Sequence, residues 1–195
     1  MDIRELNARF AREGRISVVE GRNGLPKVVL AHPCGAAAEI YLHGAHVTSW
    51  RNAAGRDLFF LSEQSWFEPG KPIRGGIPVI FPQFGAGPLP PHGLARIHSW
   101  TLAETAIGRA NSLSVCLKLA DSPDTRALWP NAFDLTLHVT LGDTYNCDNA
   151  LSISMTADNT GEKPFPFKAA LHTYFGVEDI RRTSVLGLQG VTLVD

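Results

Sequence analysis

Apolar and polar residues alternate along much of the chain with a period of two. The alternation is clearest in Leu113–Leu119, Leu135–Leu141 and Leu151–Met155, where aliphatic residues alternate mainly with serine and threonine. Because successive side chains of a strand point to opposite faces, each stretch predicts a strand with one buried face. Shorter runs predict further strands at Ile16–Glu20, Lys27–Ala31, Ala37–Leu42, Val47–Trp50, Leu58–Leu61, Trp100–Thr105, Phe165–Ala169 and Thr183–Leu188.

The gaps between these strands are rich in glycine and proline, which occur 18 and 13 times. Many short strands with few helical segments predict an all-β fold, an antiparallel sandwich or barrel. A short amphipathic helix is expected from the N-terminus through Arg12. The segment Phe67–Arg96 lacks alternation, and a loop of this length inside a compact fold usually serves function. With neither repeat nor linker, residues 1–195 are expected to form a single domain.

Composition narrows the classes of function. The chain has 195 residues, 44% of them hydrophobic, which is enough for one sizeable core, and its formal net charge is -1. No basic excess favours nucleic acid or a membrane surface as a partner. Neither a secretory signal nor a membrane-length apolar run is visible, so a cytoplasmic protein is expected. Cys34, Cys116 and Cys147 lie far apart, which predicts free thiols.

The last six residues, Gly190–Asp195, have the pattern of a strand with no turn or closing element after it. A sandwich that stopped there would leave a sheet edge unpaired. We therefore expect the chain to be a C-terminally truncated version of a longer fold.

Three clusters carry side chains able to do chemistry. Arg74 precedes two glycines, His92 and Arg96 share a glycine-containing loop, and His172 follows an aromatic stretch. Histidine is the natural proton donor near neutral pH, and arginine binds phosphate through paired donors. Taken singly, each residue has a plainer interpretation: a solvated arginine in a turn, or a hydrogen-bonded histidine at the core boundary.

A metal site is a further alternative, because His43 and His46 form an HxxH pair with His32 upstream. On a strand this odd spacing would point the two imidazoles to opposite faces, and no acidic residue lies beside them. Metal binding is therefore not favoured. Gly44 is expected to mark a tight corner between two strands.

Five short motifs, taken together in their order along the chain, are more informative than any of these residues alone. They are 44–50 (GAHVTSW), 67–78 (FEPGKPIRGGIP), 81–85 (FPQFG), 92–96 (HGLAR) and 171–175 (LHTYF). In this order the sequence resembles the D-hexose-6-phosphate mutarotases, also called glucose-6-phosphate 1-epimerases, of the galactose-mutarotase-like superfamily. The resemblance extends from about Ile16 onward. It implies a large antiparallel β-sandwich whose concave face binds the sugar.

The resemblance also implies an isomerase that interconverts the α and β anomers of an aldohexose 6-phosphate. His172 matches the catalytic acid, which protonates the ring oxygen. His92, Arg74 and Arg96 match substrate-binding residues, with the phosphate as the expected target of the arginines. No cofactor is consumed, since acid and base exchange roles when the ring closes. The implied partner is a small-molecule sugar phosphate, and we expect a monomer without a bound metal.

One part of the family pattern is missing. The resemblance places the general base, a glutamate, in the last third of the fold, and nothing in this chain matches it. Two hypotheses therefore stand. The chain belongs to an isomerase and is weak or inactive alone, or it is a non-catalytic module that binds a carbohydrate or phosphosugar.

Overall fold

The computed structural model describes residues 2–142 and 150–192, which form two helices and ten strands. The helices are α1 (Ile3–Phe10) and α2 (Pro123–Leu128). The strands are β1 (Ile16–Glu20), β2 (Pro26–Ala31), β3 (Ala37–Tyr41), β4 (His46–Arg51), β5 (Val79–Ile80), β6 (Thr101–Ile107), β7 (Leu113–Ala120), β8 (Phe133–Leu141), β9 (Leu151–Asn159) and β10 (Ala170–Leu171).

Two four-stranded sheets form the body of the fold. The first has the order β1-β2-β3-β4 and the second β6-β7-β8-β9, and every pair is antiparallel. Strands that are consecutive in the sequence are also neighbours in each sheet. The prediction of an antiparallel all-β fold is confirmed.

The core lies between the two sheets. One face of the first sheet contributes Ile16, Val28 and Ile40, and the facing side of the second contributes alternate residues of β7 and β8. Residues of both sheets belong to one buried apolar cluster. Burying this apolar surface is the main driving force that holds the sheets together.

Helix α1 closes one end of this core. The Asp2 carboxylate caps it by accepting a hydrogen bond from the backbone N–H of Arg4 at 2.8 Å, and Leu6 and Phe10 face inward. The predicted N-terminal helix is thus confirmed, although it ends at Phe10. None of the helices in the described ranges is long and apolar enough to cross a bilayer.

Helix α2 was not predicted, because it is only six residues long and shows no apolar period. Its capping box explains it: Ser122 and Thr125 satisfy each other's backbone N–H groups, and Pro123 occupies the first turn. The helix connects β7 to β8.

Three predicted strands were wrong. Leu58–Leu61 makes only isolated bridges, at Phe59 and Leu61. Phe165–Ala169 is not a strand, since Pro166 cannot donate a ladder hydrogen bond, and pairing begins only at Ala170. Thr183–Leu188 has no regular structure, is largely exposed, and pairs with no strand of the described residues. A strand was also expected at residues 190–195, but residues 190–192 do not pair as a strand. Residues 193–195 and Cys147 lie outside the described residues.

The segment Phe67–Arg96 contacts the first sheet at an isolated bridge between Ile77 and Val47, and its Val79 and Phe81 belong to the buried core. Its only regular strand is β5, which pairs antiparallel with β10, with Ala170 opposite Ile80 and Leu171 opposite Val79. This two-stranded ladder joins the glycine-rich segment to the residues around His172, although the paired residues are 90 and 92 positions apart in the sequence.

Candidate active site

The three clusters found in the sequence meet at one cleft of about 440 Å³. Arg74, His92, Arg96 and Tyr174 contribute to its walls, together with Phe60, Ser62, Pro72, Ile73, Gly75 and Pro78. His172 lies against this wall through the rings of His92 and Tyr174. The four residues singled out in the sequence are therefore neighbours, while their individual roles remain predictions.

Backbone hydrogen bonds fix the position of the segment around His172. The N–H of His172 donates to the carbonyl of Pro78 at 3.1 Å, and the N–H of Tyr174 donates to that of Gly76 at 2.9 Å. On the other side, the Phe60 N–H donates to the Tyr174 carbonyl at 2.9 Å. The segment is thus held between two chain stretches, which fixes the direction of its side chains.

Aromatic contacts orient the two imidazoles. The rings of His92 and His172 are nearly perpendicular, with centroids 5.7 Å apart. The His172 ring lies almost parallel to Tyr174 at 4.8 Å and to Phe84 at 6.2 Å, while Phe84 meets His92 edge-on at 5.1 Å. Both imidazoles are half-buried, so they are held in place yet open to a ligand.

The hydrogen bonds of His92 define its tautomer. The backbone N–H of Gly85 donates to Nδ1 of His92 at 3.3 Å, so Nδ1 is the acceptor and Nε2 carries the proton in the neutral ring. Burial, the charge of Arg96 and the proximity of His172 hold the pKa of His92 below its usual range. His92 is therefore suited to donate a hydrogen bond to a ligand oxygen at neutral pH.

His92 reaches this position because the backbone turns sharply. It has φ of 65°, and Gly93 follows with φ of 77°. A Cβ atom on Gly93 would lie 2.3 Å from the carbonyl oxygen of Phe81, so only glycine allows this approach.

Two guanidinium groups supply positive charge to the cleft. Arg74 is exposed, and its guanidinium carbon lies 5.4 Å from the centroid of the Trp66 ring. Arg96 is half-buried, and burial lowers its pKa, with Tyr174 opposing and Arg74 reinforcing that shift. A guanidinium stays charged at neutral pH even so. Its Nη2 donates to the Pro91 carbonyl, and its buried Nε has no partner among the described residues.

No described residue of the cleft wall is a carboxylate. Glu68, the acid nearest to these motifs in sequence, is paired with Lys71 at 2.7 Å. The cleft as described can therefore bind an anion and offer a proton donor, while a carboxylate base is absent from the residues that line it.

The HxxH pair does not form a metal centre in this structure. Gly44, with φ of 74°, makes the expected corner, and each imidazole bonds a backbone carbonyl: His43 bonds Lys71 and His46 bonds Gly75, both at 2.7 Å. Within residues 2–142 and 150–192, no three His, Cys, Asp or Glu side chains are grouped to hold an ion.

The sequence did not single out Phe84, Tyr174 or Trp66 as site residues. Phe84 and Tyr174 lie inside the FPQFG and LHTYF motifs, so the motifs themselves were the available signal. Trp66 lies just before the FEPGKPIRGGIP motif, and nothing in the sequence links it to Arg74.

Comparison with known proteins gives a consistent answer. Two curated relatives carry the name "Putative glucose-6-phosphate 1-epimerase". The one from Cenchrus ciliaris is 39% identical over 183 residues, which is 91% of this chain and 55% of the relative. The one from Escherichia coli K12 is 37% identical over 180 residues, 89% of this chain and 57% of the relative. The chain thus spans little more than half the length of these relatives.

Solved structures agree on the architecture. The crystal structure of a "putative mutarotase" from Salmonella typhimurium superposes with a TM-score of 0.74 at 28% identity, covering 91% of this chain and 58% of that one. The galactose-mutarotase-like β-sandwich implied by the sequence motifs is thereby confirmed. The family model described as aldose 1-epimerase matches residues 26–195. The chain belongs to the aldose 1-epimerase family.

Proposed function

We propose that the cleft binds an aldohexose 6-phosphate and that the site interconverts its α and β anomers. The observation that carries this proposal is the meeting of two imidazoles and two guanidinium groups at one cleft. The names of the curated relatives support the same substrate.

In this proposal Arg74 and Arg96 bind the phosphate. Both line the cleft, and guanidinium groups match the geometry of phosphate oxygens with paired donors. With a net charge of -1, the protein as a whole does not attract anions. The affinity for the phosphate must therefore come from these local groups.

His172 acts as the catalytic acid and His92 holds the ring. The His172 imidazolium gives its proton to the ring oxygen while a base takes the proton of the C1 hydroxyl. The C1–O5 bond breaks and leaves a C1 aldehyde and a C5 hydroxyl. The aldehyde rotates, the C5 hydroxyl attacks its other face, and the two protons return. Atoms balance, and no cofactor takes part.

The base is the incomplete part of this scheme. The glutamate implied by the sequence resemblance has no counterpart among the described residues of the cleft wall, so in this proposal water or buffer accepts the proton. We expect the chain alone to accelerate anomer exchange at the low end of the 10²- to 10⁴-fold that positioned proton transfer provides.

Saturation-transfer NMR on glucose 6-phosphate measures that exchange directly, with glucose as the matched substrate. We expect exchange above the buffer rate for the phosphosugar and much less for glucose. Binding of glucose 6-phosphate without faster exchange would favour the non-catalytic binding module instead. Equal binding of both sugars would contradict the proposed role of the arginines.

Replacing Arg96 by methionine tests the phosphate site. A hydrogen bond between charged groups contributes about 1.5–3 kcal/mol, so the dissociation constant for glucose 6-phosphate should rise about 10- to 140-fold with Arg74 still present. Isothermal titration calorimetry measures it, and affinity for glucose should stay within about twofold. Arg109→Met removes an exposed arginine from the far turn before β7 and is the matched control.

We further infer a cytoplasmic monomer that forms a single domain. Hexose phosphates are charged metabolites that do not cross membranes unaided, which supports the location, and the common core of both sheets supports one domain. Sedimentation velocity tests the monomer, and a stable dimer at micromolar concentration would contradict it.

A further inference from the structure

The turn between β3 and β4 contacts both chain segments that carry the cleft arginines. On one side, the N–H of Gly44 donates to the carbonyl of His98 at 2.7 Å, and a Cβ on Gly44 would lie 2.6 Å from the carbonyl oxygen of Arg96. On the other side, His43 and His46 bond the carbonyls of Lys71 and Gly75. The turn therefore spans the space between the Arg74 and Arg96 segments.

His46 is the most deeply enclosed of these groups. Its relative exposure is 0%, and burial lowers its pKa to about 4, which leaves the ring neutral at pH 7. Since Nε2 faces a carbonyl at 2.7 Å, Nε2 carries the proton and donates it to Gly75. The other nitrogen, Nδ1, is buried without a partner among the described residues.

That arrangement is costly for stability alone. A buried acceptor without a hydrogen bond costs about 1–3 kcal/mol, which an apolar side chain of similar size would not incur. The hydrogen bond that Nε2 of His46 donates to the Gly75 carbonyl stabilises the fold, but it offsets only part of this cost. A role in placing the neighbouring Arg74 accounts for an imidazole here better than core packing does.

We propose that His46 is a positioning residue that fixes Arg74 relative to Arg96 and so sets the preference for phosphorylated over free hexose. The hydrogen bond from Nε2 holds the Gly75–Gly76 peptide, which begins one residue after Arg74. Gly76, the next residue, packs so closely that its Cβ would lie 3.2 Å from Nε2 of His46. The direction in which Arg74 leaves the backbone thus depends on His46. This inference rests on the proposed function.

Two substitutions separate the donor from the bulk of the ring. His46→Gln keeps an N–H near the position of Nε2, whereas His46→Leu keeps an apolar side chain of similar size and removes the donor. We expect His46→Leu to weaken binding of glucose 6-phosphate about tenfold, with glucose affected less than twofold, and His46→Gln to stay within about threefold of the wild type. Calorimetry with both sugars gives the ratio of affinities, which a general loss of folded protein would not change.

The outcomes distinguish this inference from the function on which it rests. If the wild type itself binds both sugars equally, the proposed function fails. If the wild type prefers the phosphosugar and His46→Leu keeps that preference, the positioning role of His46 is wrong.

A measurement on the wild type covers the case in which His46→Leu does not fold. In ¹H–¹⁵N spectra of the imidazoles, His46 should be the Nε2–H tautomer, and its Nε2–H resonance should shift on addition of glucose 6-phosphate but not of glucose. An Nδ1–H tautomer, or a resonance that neither sugar moves, would overturn the inference.

Discussion

Replacing His172 by alanine is expected to remove the protein-catalysed part of anomer exchange of glucose 6-phosphate, a loss of about 100-fold. The family motif at residues 171–175 has two titratable side chains, the His172 imidazole and the Tyr174 phenol. The His172 ring lies almost parallel to Tyr174 and 5.7 Å from His92, two residues of the cleft wall, so these neighbouring rings hold it beside the cleft. Without this imidazole, the proposed proton donor to the ring oxygen is lost.

The affinity for glucose 6-phosphate separates catalysis from binding in this test. Because the arginines remain, His172→Ala should change the dissociation constant by less than about threefold while the exchange rate falls. His138 lies exposed on β8 of the second sheet, so His138→Ala is the matched control and should exchange at the wild-type rate. The catalytic role would be contradicted if anomer exchange with the wild-type chain were no faster than in buffer. It would also be contradicted if the His172→Ala variant exchanged the anomers as fast as the wild type.

The half-buried strands could be predicted from the sequence because their pattern is local. Along β7 and β8, alternate residues face the core and solvent, and burial in the structure follows the same period. The failures lie outside the two four-stranded sheets. The stretches Leu58–Leu61 and Phe165–Ala169 have strand-like composition, but they make isolated bridges or none. Their conformation is set by contacts with distant segments, which no local pattern records.

The grouping of the site could be anticipated only through the order of the motifs. Arg74, His92, Arg96 and His172 line or adjoin one cleft, as that order suggested. The hydrogen bond from His46 to Gly75 links residues 29 positions apart and could not be anticipated. In the sequence the HxxH pair raised the question of a metal, whereas the structure shows that the two imidazoles brace the backbone. A sequence shows which residues have reactive or polar side chains, but it does not show which atoms those side chains contact.

Gly76→Ala is expected to lower the free energy of unfolding by about 4 kcal/mol or more, the largest stability effect that we predict. Gly76 has φ of 59°, which costs a residue with a Cβ about 1–2 kcal/mol. The added Cβ would also lie 2.2 Å from the carbonyl oxygen of Val47 and 3.1 Å from the Cα of Thr48. Both are backbone atoms of the β4 strand, so relief requires strand movement rather than a rotamer change.

The same substitution should disturb the cleft, because Gly76 links its two sides. The Gly76 N–H donates to the Phe60 carbonyl at 2.7 Å, and its carbonyl accepts from the Tyr174 N–H at 2.9 Å. Moving this residue away from β4 would displace both bonds, and with them the segment that holds His172. We therefore expect the Gly76→Ala variant, where it folds, to lose binding of glucose 6-phosphate as well.

The Gly70→Ala variant measures the cost of backbone strain without a steric clash of the added Cβ. Gly70 has φ of 76°, lies exposed in the same long segment, and a Cβ added to it would meet no atom within 4 Å. It should therefore lose only about 1–2 kcal/mol. Urea denaturation followed by tryptophan fluorescence compares the two variants with the wild type under a two-state fit. If both lost the same amount, the close approach of Gly76 to β4 would contribute nothing, and the loop would not be anchored to the first sheet at this point.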